Sequence, residues 1–285
     1  MKIAIVGPNS PIAQAFLNLL EETKEGRAME ITFYHKSGLS PLIEFSQREY
    51  PVTTLNIESL KNTNTQAILF FPQEDYSKEI LEAEALDCKV IDVTGAFIAD
   101  PTVPLVIPRI NKEHVLRHNL ISLPSQTAAI FAPLLDSLDK RFTIRRASVF
   151  CQDKSTSKEF FLNNDYCTEE IDTINEISKI LDNDSLRLTV TNVEKPNAIY
   201  TNYFVNISMA KPFNTDELLS QLKNQAGIMS IRDKDTIDFE KDLILRRYRR
   251  DLSLDSGIHL CIATKNPSGP LLEAIVDILE IIKAG

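Results

Sequence analysis

The sequence predicts a doubly wound parallel α/β domain followed by an α+β domain whose sheet is mostly antiparallel. Two observations lead to this fold class. Up to about residue 126, short apolar runs alternate with helical patterns, which is typical of strands buried in a parallel sheet. After about residue 140, longer strand-like runs are separated by a few amphipathic helices. The 285 residues suit one large domain or two of ordinary size.

The first domain opens with the apolar run 2–6, a predicted strand that ends at Gly7. A helix is predicted over 12–22, because apolar residues recur there on one helical face. Further strands are predicted over 30–34, 66–71 and 89–93, with a helix over 76–87. Doubly wound sheets bind ligands at the carboxyl ends of their strands, so we expect the functional residues there.

The second domain contains five predicted strands and two predicted helices. The strands are expected over 143–151, 186–193, 198–209, 243–245 and 257–264, and the helices over 168–181 and 213–224. The first of these helices carries an apolar stripe of Ile171, Ile174, Ile177 and Leu181. A last amphipathic helix is predicted over 270–284.

The composition is that of a soluble globular protein, with 43% apolar and 25% charged residues. A net charge of −9 argues against attraction to nucleic acid or to an anionic membrane. We find no apolar run long enough to span a bilayer and no signal-peptide pattern. The four cysteines form no C-x-x-C pair and predict free thiols. We therefore expect a cytoplasmic protein.

The turn after the first strand reads Gly7-Pro8-Asn9-Ser10-Pro11-Ile12-Ala13. A dinucleotide-binding turn needs several glycines, because they let backbone N–H groups at a helix N-terminus approach a pyrophosphate. Here only Gly7 remains, and both prolines lack an N–H group. One interpretation is weakened nucleotide binding, and the other is a turn that is purely structural.

Two stretches carry a resemblance to a known family. Residues 90–111 read VIDVTGAFIADPTVPLVIPRIN and residues 119–138 read NLISLPSQTAAIFAPLLDSL. They closely resemble the corresponding stretch of the aspartate-semialdehyde dehydrogenase family, an amino-acid biosynthesis family. The resemblance covers nearly the whole chain and is greatest to the family's non-catalytic, bacterial Usg-like paralogues.

The resemblance implies a domain organisation. A Rossmann-like, nucleotide-binding-type domain is expected over residues 1–126, completed by a C-terminal helix over 268–285. An α+β dimerisation domain is expected over 127–267, with a homodimer built through its sheet.

The resemblance also implies that the catalytic residues are lost. The family's nucleophilic cysteine begins a helix in a pattern similar to Asn-Pro-Asn-Cys-Ser-Thr, and its position here holds Gln126. The acid/base histidine aligns with Ile207, the substrate-binding arginine with Tyr200 and a phosphate-binding arginine with Ile98. A carboxamide has no thiolate chemistry, an isoleucine transfers no proton, and a phenol cannot pair bidentately with a carboxylate. We predict a pseudoenzyme with no catalytic residue.

The cofactor positions implied by the resemblance are altered as well. Lys36-Ser37 stands where the family often has Arg-Ser facing the 2′-phosphate of NADP, and Lys36 is either a remaining point charge or a solvated lysine. Carboxylates at Glu74 and Asp75 replace a glycine-rich turn, where they would repel phosphates or belong to a solvated turn. The predicted vestigial cofactor site, with weak affinity for NADP or NAD at most, consists of Gly7, Asn9, Ser10, Ile12, Lys36 and Ser37.

Other reactive groups predict no site of their own. His114 and His118 have a metal-compatible spacing but no third ligand, so we expect no metal site. Cys167 precedes a helix whose dipole could lower the pKa of its thiol, but no histidine is near in sequence. The basic run 246–250 is either an anion-binding cluster or a set of structural salt bridges.

Three functional hypotheses follow. The first is a dimeric binding or scaffold protein without catalysis. The second is an NAD(P)-dependent oxidoreductase that acts on an aldehyde with a non-standard site. The third is an inactive partner that forms a heterodimer with an active semialdehyde dehydrogenase.

Overall fold

The computed structural model describes residues 1–37, 42–61, 63–153, 166–183, 185–195, 198–230, 237–238 and 240–285. Its contacts divide the chain into two compact units, Met1–Pro124 with Leu271–Gly285, and Ser125–Pro270. The sequence analysis expected these boundaries after residue 126 and before residue 268. The predicted fold class, a Rossmann-like parallel sheet and a second sheet domain, is confirmed.

The first unit is built on a six-stranded parallel sheet. Numbered along the chain, its strands are β1 (Lys2–Val6), β2 (Glu30–His35), β5 (Val52–Thr54), β6 (Ala67–Phe70), β7 (Lys89–Asp92) and β8 (Leu120–Ser122), and a hairpin of β3 (Ile43–Phe45) and β4 (Arg48–Tyr50) precedes β5. The strand order is β5-β2-β1-β6-β7-β8. Going along the chain, strands are first added on one side of β1 (β2, β5) and then on its other side (β6, β7, β8). The switch point of the doubly wound sheet therefore lies between β1 and β6.

The helices of the first unit follow its strands. They are α1 (Pro11–Glu22), α2 (Lys24–Arg27), α3 (Ile57–Leu60), α4 (Ser77–Glu84), α5 (Pro108–Asn111) and α6 (Glu113–Arg117), and most of the final helix α10 (Gly269–Ala284) belongs to the same unit. Strands β1 and β6 are almost entirely buried, as expected for central strands of a parallel sheet. Helix α1 begins with Pro11 at its first position and buries Phe16, Leu17 and Leu20.

The second unit is a mixed six-stranded sheet with helices on one face. Its strands are β9 (Ile144–Asp153), β10 (Leu188–Glu194), β11 (Thr201–Met209), β12 (Ile228–Ser230), β13 (Leu243–Arg250) and β14 (Gly257–Thr264), and its helices are α7 (Gln126–Phe142), α8 (Thr168–Leu181) and α9 (Thr215–Ala226). The order is β10-β9-β11-β14-β13-β12, with antiparallel central pairs and parallel outer pairs.

The two faces of the second sheet differ in burial. Along β11, Tyr203 and Val205 are buried, and Phe131 of α7 packs edge-on against Tyr203 at a centroid distance of 5.1 Å. The alternate residue Phe204 is 45% exposed, and Phe150 on β9 is 36% exposed beside it. One face of this sheet is therefore a helix-covered core, and the other is open within its unit.

Two sequence predictions about the second unit are wrong in detail. The strand predicted over 243–245 extends to Arg250, because the basic residues pair along β14 with their side chains largely exposed. The apolar stripe predicted for α8 included Ile171, which is 41% exposed, whereas Glu170 and Glu176 are buried on that helix. Glu170 tolerates burial because it accepts hydrogen bonds from the backbone N–H groups of Cys167 (3.0 Å) and Asn192 (2.7 Å).

Within the described ranges, no helix combines the length and the apolar character that a bilayer-spanning segment requires.

Candidate functional site

The turn after β1 requires a glycine at position 7. Gly7 has φ +76°, and its N–H group donates to the carbonyl oxygen of Tyr34 at 3.0 Å. A Cβ at this residue would lie 2.7 Å from the carbonyl oxygen of Phe71. The glycine thus lets β1 and β6 approach each other closely at the switch point of the sheet.

The backbone N–H groups of this turn are largely used within the protein. The N–H group of Asn9 donates to Oε1 of Gln73 (3.3 Å), and that of Ser10 donates to the carbonyl oxygen of Gly7 (3.3 Å). The Ser10 hydroxyl accepts from the N–H group of Ala13 (3.2 Å), which caps α1. Together with the two prolines, these bonds leave fewer donors for a pyrophosphate than a glycine-rich turn would offer. Ile12, in the first turn of α1, is half-buried.

Lys36 and Ser37 follow β2 and are both engaged by the protein. Lys36 Nζ lies 2.9 Å from Oε1 of Glu79 and donates to the carbonyl oxygen of Asp75 at 2.9 Å. The hydrogen bond with Glu79 raises the pKa of Lys36. Ser37 bonds Nδ1 of His35 through its hydroxyl (2.7 Å) and its N–H group (3.1 Å). The positive charge predicted for a 2′-phosphate is therefore present but already paired.

An open cleft of about 600 Å³ lies at the carboxyl ends of β6 and β7. It is lined by Pro72, Gln73, Glu74, Asp75, Tyr76, Ser77, Thr94, Gly95 and Ala96. The Tyr76 side chain is 1% exposed, and its hydroxyl has no hydrogen-bond partner among the described residues. Burial, reinforced by the carboxylates of Glu74 and Glu79, raises the pKa of Tyr76 to about 12. The cleft has the position expected for a ligand site in this fold.

Asp92 shapes the far wall of this cleft. It ends β7, is fully buried, and accepts four hydrogen bonds. The donors are the N–H group (2.8 Å) and hydroxyl (2.6 Å) of Thr94, the N–H group of Phe97 (3.1 Å) and the hydroxyl of Ser122 (2.8 Å). The carboxylate thereby holds the Thr94–Ala96 wall to strands β7 and β8.

The helix that carries Gln126 has a carboxylate at its N-terminus. Gln126 is the first residue of α7, and Ser125 is the N-cap, whose hydroxyl accepts from the N–H group of Ala128 at 3.3 Å. The N–H group of Ser125 donates to Oε2 of Glu176 at 2.7 Å. Glu176 is 3% exposed, and this burial raises the pKa of its carboxyl. Gln126, which the sequence analysis aligned with the family's nucleophile, thus directly follows a residue that is bonded to a buried acid group.

The sequence analysis aligned three further residues, Ile207, Tyr200 and Ile98, with functional positions of the family. Ile207 is fully buried in β11, between Ala147 of β9 and Ile258 of β14. The ring of Tyr200 lies under the guanidinium of Arg246 (5.7 Å) and the ammonium of Lys265 (5.6 Å). Ile98 is partly buried in the loop after β7, where its N–H group donates to the carbonyl oxygen of Gly95.

Burial makes three of the spare thiols less reactive. Burial raises the pKa of Cys88 to about 11, and it also raises the pKa values of Cys167 and Cys261. The lowering of the Cys167 pKa that the sequence analysis considered is therefore wrong, because burial raises the pKa by more than the helix N-terminus lowers it. His114 and His118 lie 5.2 Å apart between ring centroids, and no group of three potential metal ligands occurs in the described part of the chain.

Sequence reasoning missed three residues of these sites: Asp92, Tyr76 and Glu176. Asp92 stands in the quoted 90–111 stretch, but its four partners come from residues up to 30 positions away. Glu176 is one of several acidic residues in α8, and no sequence signal distinguishes it from its exposed neighbours.

A parallel sheet with a cleft at the carboxyl ends of its strands, followed by a mixed-sheet unit, defines a Rossmann-like doubly wound fold with a second sheet domain. Comparison with known proteins is consistent with this class. The family model described as semialdehyde dehydrogenase, NAD binding domain, matches residues 2–118. The aspartate-semialdehyde dehydrogenase of Rickettsia conorii is 24% identical over 331 residues, covering 98% of this chain and 97% of that protein.

Solved structures share the complete fold. Aspartate semialdehyde dehydrogenase II of Vibrio cholerae, complexed with ASA, matches with a TM-score of 0.83 at 22% identity, covering 99% of this chain and 98% of that chain. The Candida albicans enzyme with NADP matches with a TM-score of 0.72 at 16% identity, with the same coverage. The chain is thus similar along nearly its whole length to aspartate-semialdehyde dehydrogenases, in sequence at 24% identity and in fold.

Proposed function

We propose that this chain is a non-catalytic, Usg-like member of the family that acts as a dimeric binding or scaffold protein in the cytoplasm. The observation that carries the proposal is the start of α7. Gln126 stands at the nucleophile position, and the preceding N–H group already donates to the carboxylate of Glu176. A carboxylate takes the favourable electrostatic position of a helix N-terminus that would otherwise stabilise a thiolate.

The surroundings of the other aligned positions support the same proposal. Ile207 is paired with Ile258 and Ala147 in the second sheet, and neither of these described neighbours carries an acid/base group. Tyr200 faces two cations and offers no bidentate donor to a substrate carboxylate. The described spare thiols with raised pKa values are poor nucleophiles at neutral pH.

We expect the Gln126→Cys variant to turn over no aspartate semialdehyde. A cysteine alone lacks the proton transfer that a positioned acid/base supplies, which is worth about 10²–10⁴-fold in rate. The measurement is formation of reduced cofactor with NADP or NAD, beside an active family member assayed in parallel.

The matched control for this experiment is Gln126→Ser, which keeps the helix start without a thiolate. Titration with a thiol reagent shows whether the new cysteine is reactive. Turnover in Gln126→Cys and not in Gln126→Ser would contradict the proposal, and turnover of any aldehyde by the unmodified protein would favour an oxidoreductase with a non-standard site.

The part of the proposal that concerns a dimer is supported by exposed aromatic residues on the open face of the second sheet. A cleft of about 480 Å³ on this face is lined by Ser148, Phe150, Phe204, Val205, Asn206, Arg247, Arg249, His259, Leu260 and Cys261. Phe150 and Phe204 contact each other edge-on at 6.0 Å, and both remain substantially exposed. Paired aromatic residues within a polar surround are typical of a protein interface.

We expect Phe204→Glu to convert a dimer into a monomer, because it places a charge at the centre of an apolar contact. Sedimentation velocity over a range of concentrations measures this change. Leu252→Glu is the control, since Leu252 is 98% exposed. A dimer that survives Phe204→Glu would place the interface elsewhere. A stable complex with the active homologue of the same cell, in place of a homodimer, would favour the heterodimer hypothesis.

A further inference from the structure

The basic run 246–250 lies on β13 and was open to two interpretations, an anion-binding cluster or a set of structural salt bridges. Arg247 and Arg249 pair in register with Cys261 and His259 of β14. All four residues line the cleft of about 480 Å³ on the open face of the second sheet. Because two successive residues on one face of a strand are about 7 Å apart, both guanidinium groups can reach one small ligand.

The arginines of this run differ in their partners. Arg246 and Arg250 each lie over an aromatic ring, with 5.7 and 5.6 Å from the guanidinium to the ring centroid. Arg247 and Arg249 are exposed, and neither forms an ion pair with a carboxylate of the described residues. Of the two interpretations of the run, anion binding is the one that the surroundings of these two residues favour.

The carboxylate at the edge of the cleft is bonded to other groups. Oδ2 of Asp251 accepts from Nδ2 of Asn206 at 2.8 Å and lies 3.2 Å from Nε2 of His259. Its Oδ1 accepts from the N–H group (3.0 Å) and the hydroxyl (2.6 Å) of Ser253. No aspartate or glutamate is among the described residues that line the cleft itself. The cleft is therefore basic, although the chain as a whole has a net charge of −9.

The proposed dimer would bury these guanidinium groups together with the aromatic pair. Phe150 and Phe204 line the same cleft as the two arginines, so a second copy that covers the rings also removes water from the charges. A buried charge without a partner is costly, and a second copy that binds through the same face brings the same arginines. A small anion that accepts hydrogen bonds from both guanidinium groups would remove this cost.

We propose that Arg247 and Arg249 form a binding site for a small dianion, and that the bound dianion stabilises the dimer formed through the open face. This inference rests on the proposed function, because it concerns the dimer interface named there. The ligand chemistry is that of a compact oxyanion with two negative charges, which inorganic phosphate and a short dicarboxylate share. The planar guanidinium group matches such oxyanions, because it can donate two parallel hydrogen bonds to a pair of oxygens.

Sedimentation velocity in phosphate, succinate and chloride, at equal ionic strength and neutral pH, tests the inference. We expect the dissociation constant of the dimer to fall by about tenfold or more in phosphate or succinate relative to chloride. A larger effect of phosphate would identify a tetrahedral oxyanion as the ligand, and a larger effect of succinate would identify a dicarboxylate. A dissociation constant that is the same in all three salts would overturn the inference, while the dimer itself would stand.

A double variant, Arg247→Gln with Arg249→Gln, separates the anion site from the interface. Glutamine removes the charge and keeps a polar side chain, so we expect a tighter dimer in chloride than that of the unmodified protein, with no response to either dianion. Arg250→Gln is the matched control, because it removes the same charge from the same strand on the opposite face of the sheet. A double variant that still responds to phosphate and succinate would contradict the assignment to these two arginines.

Calorimetric titration of the same proteins with phosphate and succinate measures dianion binding independently of the dimer. We expect binding that is lost in the double variant and kept in Arg250→Gln. If the protein is a monomer in every salt and still shows this pattern, the dianion site stands and the proposed dimer through this face fails. Absence of binding of both dianions to the unmodified protein would overturn the inference.

Discussion

Replacing Asp92 with asparagine is expected to destabilise the first unit by about 3 kcal/mol or more. The buried carboxylate accepts four hydrogen bonds from Thr94, Phe97 and Ser122. An amide keeps one acceptor oxygen and turns an NH₂ group towards groups that are themselves donors, so buried donors lose their partner. Denaturation with urea, followed by circular dichroism, measures the change in the free energy of unfolding.

Thr94→Val is the control for this prediction. It keeps the N–H donor and removes the hydroxyl, which donates to Asp92 and accepts from the exposed N–H group of Ala96, so we expect a loss of about 1–2 kcal/mol. A cost for Asp92→Asn as small as that of Thr94→Val would show that the carboxylate does not hold the wall of the cleft.

A second large effect is expected at Gly7. Gly7→Ala should destabilise the protein by roughly 2–4 kcal/mol, because a Cβ there combines a positive φ of +76° with a 2.7 Å approach to the carbonyl oxygen of Phe71. Phe71 directly follows β6, so its carbonyl oxygen cannot move away without disturbing the pairing of β1 with β6.

Gly95→Ala provides a closely matched comparison in the same unit. Gly95 also has a positive φ, +85°, but its Cβ would meet only the flexible end of the Ile98 side chain at 3.1 Å. We expect a cost of about 1 kcal/mol there, from the backbone conformation alone. Equal costs at the two glycines would refute the close approach between Gly7 and Phe71.

Elements with a strong local pattern were predictable from the sequence. The strands at 2–6 and 257–264 and the helix at 168–181 have the predicted bounds, because continuous apolar runs and clear periodicity define them. β13 was predicted too short, because its basic half is a strand only through pairing with β14. The short strands β5, β8 and β12 likewise depend on neighbours distant in the chain.

The candidate site was predictable only as a set of positions. Gln126, Ile207 and Tyr200 were assigned to catalytic positions from the family resemblance of the residues that flank them, and these assignments stay predictions. The carboxylate that bonds Ser125 is 51 residues away, and no local pattern predicts which acid on α8 is buried. The pKa of Cys167 was equally hard to predict from the sequence, because burial by other parts of the chain raises it whereas the helix N-terminus was expected to lower it.

The fold class and the presence of two successive domains could be predicted from the sequence alone. These depend on composition, periodicity and residue order, which act over short stretches of chain. The pairing of polar groups depends on the tertiary structure, which brings Lys36 to Glu79, Glu176 to Ser125, and Asp92 to the wall of the cleft. Burial removes water from Asp92 and Glu176, and the packing of elements that are distant in the chain then sets which partner replaces it.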